Sequence, residues 1–140
     1  MASDEPPLSA RRRVLIVEDH ELNSKLLQDL LDYQGYTTIV TRLGEAAIDL
    51  AHEHHPDLIL LDIRLPDISG TEVARRLKAD RLTATIPIIA VTAFAMPGDR
   101  ARMLESGCDD YVAKPFRVEE LLDLVAHYAW GSANTTAGNR

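Results

Sequence analysis

The chain has 140 residues, 46% hydrophobic and 26% charged, which is the usage of one packed globular domain and too little length for two. A formal charge of -7 at pH 7 excludes a protein whose main business is holding nucleic acid, because phosphate contacts need clustered Lys and Arg. The single cysteine, Cys108, cannot close an internal disulfide, no export signal opens the chain, and no apolar run reaches the roughly 18 residues of a membrane span, so a cytoplasmic domain is expected.

In chain order, residues 1–12 (MASDEPPLSARR) read as a flexible polar leader, with the basic run at 11–13 as its solvated flank. An apolar run at 14–17 predicts the first strand. The following helix carries Leu22, Leu26, Leu30 and Tyr33, with Leu27 and Leu31 alongside, and stops before Gly35. A strand at 38–40, a helix over 43–54, a strand at 58–61 and a helix over 70–79 come next. A strand at 86–91 leads to a helix near 97–106, opened by Pro97 and Gly98 and closed by Gly107. Its thin apolar face predicts the least firmly held helix. A short strand at 111–112 precedes a last helix with Val118, Leu121, Leu122, Val125 and Ala129 on one stripe. Residues 131–140 (GSANTTAGNR) read as a flexible tail, leaving one domain at 13–130. With the chain ending at Arg140, no DNA-binding or enzymatic output domain is expected after it.

Short Val- and Ile-rich runs alternating with helical segments are the mark of a parallel sheet covered on both faces. The expected fold is α/β, a flavodoxin-like doubly wound (βα)5 three-layer sandwich with strand order 2-1-3-4-5. Ligands then bind beyond the C-terminal strand ends, at the switch between strands one and three. Those ends carry Glu18 and Asp19, then Asp62, then Thr92, then Lys114 with Pro115; only the second, at the sheet edge, offers no candidate polar group.

Three converging carboxylates repel one another unless some stay protonated or a cation sits among them. Oxygen ligands suit a hard ion. Magnesium takes one or two carboxylates, several waters and phosphate oxygens. Lys114 supplies a point positive charge and Thr92 a hydroxyl, as the oxygens of a phosphoryl group require, so Asp62 is placed to act as a carboxylate nucleophile. Taken singly, each has a plainer role: Asp62 as a turn former, Glu18 and Asp19 as acids at a helix N-terminus, Thr92 as a strand residue, Lys114 as a surface lysine. Their coincidence at one sheet edge favours the shared chemical role.

In VLIVEDHELN, LILLDIRLPDISG, IIAVTAFA and GCDDYVAKPF the chain resembles the receiver domain of two-component response regulators over residues 12–130, and in VEDHELN and AVTAFAMPGD its wording is nearest to DivK-type stand-alone regulators. The resemblance implies that Asp62 is phosphorylated from a phosphohistidine of a sensor histidine kinase, hybrid kinase or histidine phosphotransfer protein. It implies Mg2+, with Mn2+ as a substitute, held by Asp19, Asp62, Glu18 through water and the backbone carbonyl of Arg64. Thr92, Ala93 and Lys114 would meet the phosphoryl group, Tyr111 would change rotamer as Thr92 is drawn in, and the bond from Lys114 to Pro115 would be cis. Arg64 and Phe94 occupy positions that tune phosphoryl lifetime. Being a phosphoacceptor that catalyses its own modification, it would not be an enzyme in the usual sense.

The expected output surface is the fourth helix, fifth strand and fifth helix. Leu124, Tyr128 and Trp130 either bind a protein partner or second copy there, or cover the sheet ends. Three rivals remain: a magnesium-dependent phosphatase of the haloacid-dehalogenase kind, a flavin or nucleotide binder, and a receiver-like adaptor that binds without phosphorylation. The first lacks the acid normally found where Arg64 stands. The second would need to bind phosphate at the acidic, glycine-free loop EDHELN. No expected site residue is missing, which weakens the third. His20 is expected to be an exposed loop residue rather than a ligand, and His52, His54 and His55 a solvated helix end rather than a transition-metal site.

Overall fold

The computed structural model describes residues 11–93 and 97–137, with side chains as far as Trp130. The first ten leader residues, Phe94 and residues 138–140 lie outside the described residues.

Ten elements alternate strictly: β1 (Arg13–Val17), α1 (Glu21–Tyr33), β2 (Thr37–Thr41), α2 (Gly44–His54), β3 (Leu58–Leu61), α3 (Gly70–Ala79), β4 (Ile88–Thr92), α4 (Asp99–Glu105), β5 (Asp110–Ala113) and α5 (Val118–Ala137). All strand pairs are parallel, in the order β2-β1-β3-β4-β5. The expected doubly wound fold is therefore the observed one. α5 continues to Ala137, past the boundary expected at Trp130.

Period-two alternation along the strands divides the core. Leu15, Val17, Ile59, Leu61, Ile88 and Ala90 pack with Ala47, Ala51, Val73, Ala74, Leu77 and Met103 of α2, α3 and α4. On the other face Val14, Ile16, Leu58, Leu60, Ile89 and Val91 pack with Leu27 and Leu31 of α1 and Leu121, Val125 and Ala129 of α5. Each fully buried Leu or Ile contributes about 1.5–3 kcal/mol of transfer free energy, so the central strands anchor the edge on which the polar groups stand.

Two helical stripes differ from expectation. On α1 the buried residues are Leu27 and Leu31, while Leu22 is 86% exposed, Tyr33 89%, and Leu26 faces solvent too. Leucines lie all around this helix, so periodicity alone does not choose the face; the packing of β1 and α5 does. On α5 Leu121, Val125 and Ala129 are buried as expected, whereas Val118 is exposed and Leu122 half-buried.

The basic run is more than a solvated flank. Arg12 pairs with Asp57 at 3.3 Å, Arg13 donates to the His54 carbonyl at 2.9 Å, and the Arg12 guanidinium lies over the Trp130 ring, 4.5 Å from its centroid. Trp130 also hydrogen-bonds Tyr36. Tyr128 donates to Asp110 at 3.0 Å, and Leu124 packs partly against the core.

Candidate functional site

Four strand ends build the site. Glu18 follows β1, Asp62 follows β3 and Thr92 ends β4; all three are buried, and the β1–β3 pairing sets Val17 beside Leu61, so the acids that follow are neighbours. Lys114 follows β5 and reaches across β4. Its Nζ donates to Glu18 Oε1 at 3.1 Å and to Asp62 Oδ2 at 3.3 Å. The Lys114–Pro115 peptide is cis, as expected.

Asp62 is fixed from both sides of its own backbone: its N–H donates to the Val17 carbonyl at 2.9 Å, and its Oδ1 accepts from the Arg64 N–H at 3.1 Å. Gly70 stands close behind, where a Cβ would come within 2.5 Å of the Asp62 carbonyl oxygen and 2.7 Å of the Ile63 Cα. Only a residue without a side chain allows α3 to begin so near the acceptor loop.

Glu18 accepts from the His20 N–H at 3.1 Å. Burial pushes its carboxyl above the usual carboxylate range and repulsion from Asp62 adds to the rise, against the opposing pull of the His20 N–H and the Lys114 ammonium. Two buried carboxylates thus share one ammonium, an excess of negative charge that a cation offsets. Ligand atoms of Glu18, His20 and Asp62 all lie within 4.8 Å of one another, a spacing able to hold a metal ion.

The other two side chains of this loop stand differently. Asp19 is half-exposed and pairs with Arg42 at 3.5 Å, outside that cluster, while His20 takes a place beside Glu18 with Nδ1 3.7 Å from Oε2. Arg42 follows β2, so the strand end read as lacking a polar group does contribute one. Its role is invisible in local sequence because only the β1–β2 pairing brings it to Asp19. Asp67 was also missed as a structural contact: its carboxylate accepts from the Gly44 and Glu45 N–H groups at 2.8 and 2.9 Å, tying the acceptor loop to the start of α2. A signal existed in the sequence, since α2 opens with Gly44 after Leu43 and has no capping side chain of its own.

Tyr111, paired with Ala90 two residues before Thr92, packs half-buried against the α2–α4 face, with the Arg100 guanidinium of α4 lying 5.6 Å from its ring centroid. Ala93 and the Arg64 side chain are exposed. His52, read as part of a solvated helix end, instead bridges the Ile48 carbonyl at 2.9 Å and Asp80 at 2.7 Å. Among the described residues, His52, His54 and His55 form no metal-ligand group.

A family model of the response regulator receiver domain matches residues 14–126. The chain belongs to that family. This receiver domain is 53% identical over 117 residues to the polar-differentiation response regulator DivK of Brucella ovis, covering 84% of this chain and 95% of that one. The solved receiver domain of the sensor histidine kinase PA1611 from Pseudomonas aeruginosa PAO1, which has a magnesium ion coordinated in its active-site cleft, superposes with a TM-score of 0.81. It is 34% identical and covers 87% of this chain and 100% of its own. The Mn2+-bound response regulator Rcp1 aligns with a TM-score of 0.70 at 28% identity, covering 81% of this chain and 88% of its own.

A receiver domain is a signalling protein of phosphorylation-dependent two-component systems, and its counterparts there are histidine kinases or phosphotransfer proteins. The adaptor and phosphatase readings find no support in these matches. Among the described residues no helix is long and apolar enough to cross a membrane.

Proposed function

We propose that Asp62 is the phosphoacceptor of this receiver domain. The observation that carries the reading is the Lys114 ammonium held between the buried carboxylates of Glu18 and Asp62 at the C-terminal strand edge. In the transfer, an Asp62 carboxylate oxygen attacks the phosphorus of a phosphohistidine. The O–P bond forms as the P–N bond breaks, and its electron pair returns to the imidazole, which takes a proton from solvent. The phosphoryl oxygens then fall to Lys114 and to the hydroxyl of Thr92, with the Ala93 backbone beside it.

The donor set fits a hard divalent cation. Asp62, Glu18 and the Arg64 carbonyl would hold Mg2+, or Mn2+ in its place, and Asp19 joins them by giving up its exposed Arg42 partner. When bound, the ion supplies charge neutralisation for the phosphoryl oxygens and the attacking carboxylate. Lys114, released from Glu18, follows the new negative charge.

Aspartyl phosphate adds roughly 1.5 to 2 negative charges at this point, by analogy with other phosphorylated side chains. Thr92 moves toward it, and Tyr111 turns into the space left behind. Arg100 lies over that ring, so the change passes to α4. A swing from about 1:99 to 99:1 requires roughly 5.5 kcal/mol of differential stabilisation. The output surface is α4, β5 and α5, where Asp110, Glu119, Glu120 and Asp123 border a groove with Arg117 and Leu124. Its reader is a downstream protein or a second copy of the chain. The likeness to DivK supports a place in a bacterial polarity or developmental programme.

Incubation with acetyl phosphate and Mg2+, followed by intact mass measurement, tests the assignment. One phosphoryl group is expected on the wild type and none on Asp62→Asn; no addition to the wild type, or equal addition to both, sinks it.

A further inference from the structure

We infer that Arg100 is a positioning residue for the switch: its guanidinium, lying over the Tyr111 ring, holds that ring outward and keeps the unphosphorylated domain at rest. This rests on the reading of Asp62 as phosphoacceptor and of Tyr111 as the ring that turns behind Thr92. The guanidinium lies 5.6 Å from the ring centroid. That is inside the roughly 6 Å over which a cation is drawn to the negative face of an aromatic ring. Tyr111 is half-buried and borders the surface groove with Asp110, Glu119, Glu120 and Asp123, whereas Thr92 has no exposed surface. The ring therefore stands on the surface side of its range, within reach of Arg100.

Local rules do not explain an arginine at this place. Arg100 is the second residue of α4, where the positive end of the helix dipole disfavours a cation and favours an acid such as Asp99 beside it. The buried side of α4 is carried by Asp99 and Met103, not by Arg100, which is exposed. Arg102 pairs with Asp99 inside the helix, whereas Arg100 reaches out of it to β5. The four acids of the groove outnumber Arg117, so the field beside the ring favours a cation there. A contact made in one state and lost in the other shifts the ratio between them by its own strength. At an exposed site this kind of contact corresponds to about a two- to fivefold shift. When Asp62 is phosphorylated and the ring turns inward, the guanidinium loses it, and α4 loses a tether to β5.

The full chain labelled with fluorotyrosine, its Tyr111 signal assigned by its absence from Tyr111→Phe, reports the ring by fluorine relaxation dispersion before and after addition of acetyl phosphate and Mg2+. Populations rather than shifts are compared, since removing the guanidinium itself moves the resonance. In the unphosphorylated protein the ratio of inward to outward ring is expected to rise about two- to fivefold in Arg100→Met, which keeps the length but not the charge. A smaller rise is expected in Arg100→Lys, which keeps the charge without the planar guanidinium. An unchanged ratio in Arg100→Met, or an equal rise in Arg100→Lys, overturns the role of Arg100 while leaving the switch standing. A wild-type Tyr111 signal that does not respond although intact mass shows the phosphoryl group on Asp62 overturns the reading of Tyr111, and the inference with it. No phosphoryl group on the wild type overturns the reading of Asp62 itself, and the inference with it.

Discussion

The segments on either side of the site are built on opposite plans. After β3, residues 62–70 are fastened at almost every step. Asp62 is bound to Val17, the Gly70 N–H to the Ile63 carbonyl at 2.8 Å, Asp67 to the start of α2, and Ser69 caps α3 by accepting from the Glu72 N–H. Beyond β4, α4 is a seven-residue helix whose only buried side chains are Asp99 and Met103. It is bracketed by Gly98 and Gly107 at φ +94° and +113°, conformations that a side chain would strain. The acceptor stands on a fixed floor, and the helix that must respond is lightly held. Charge added at the fixed side is therefore relieved by motion at the loose one.

The largest predicted effect breaks the floor. Gly70→Ala forces a methyl group against the Asp62 carbonyl and the Ile63 backbone, and is expected to lower unfolding free energy by about 3 kcal/mol in urea titration while slowing acetyl phosphate labelling. A variant as stable and as quickly labelled as the wild type would mean that the close approach is not needed.

Asp67→Asn should have a smaller effect, with a size that depends on pH. The Glu45 N–H and then the Gly44 N–H hold the Asp67 carboxyl below its usual range. A depressed folded pKa stabilises above the unfolded carboxylate pKa, about 3.9, and that contribution is lost as pH falls through the folded value. The difference in denaturation midpoint between wild type and variant should be present at neutral pH and shrink below about pH 4. A difference that persists in acid would assign it to shape rather than charge.

The loose side is tested without mutation. Amides of α4 are expected to exchange with deuterium faster than those of α3, and to change protection when Asp62 is phosphorylated, more than α3 does. Equal protection in both helices, before and after, would erase the contrast.

The smallest effect lies on the far flank of the fixed side. Both ring nitrogens of His52 face acceptors, so the Asp80 hydrogen bond and then the Ile48 carbonyl raise its pKa. A raised folded pKa stabilises fully below the unfolded value near 6.5, and the contribution is lost as pH rises through the folded one. Thermal melts of wild type and His52→Gln should therefore differ more at pH 5.5 than at pH 9.

Most of this architecture was legible in residue order. VLIV, LILL and IIAV announce buried parallel strands, and Glu18, Asp62 and Thr92 fall at their ends with no help from geometry. The illegible part is what parallel pairing brings together from distant positions. Arg42 reaches Asp19 only because β2 lies beside β1, and Asp67 reaches Gly44 only because α2 starts beside the acceptor loop. The stripe on α1 misled because its leucines outnumber the positions the core can accept.

Trp130 is the only tryptophan in the chain, and it sits against Arg12 and Tyr36, at the end of the sheet where β1 begins rather than where Asp62 stands. Its ultraviolet emission is therefore an optical reporter of the seam between the two ends of the domain. Loss of that seam on unfolding will register in it, whereas an ion arriving at the opposite edge will pass largely unseen.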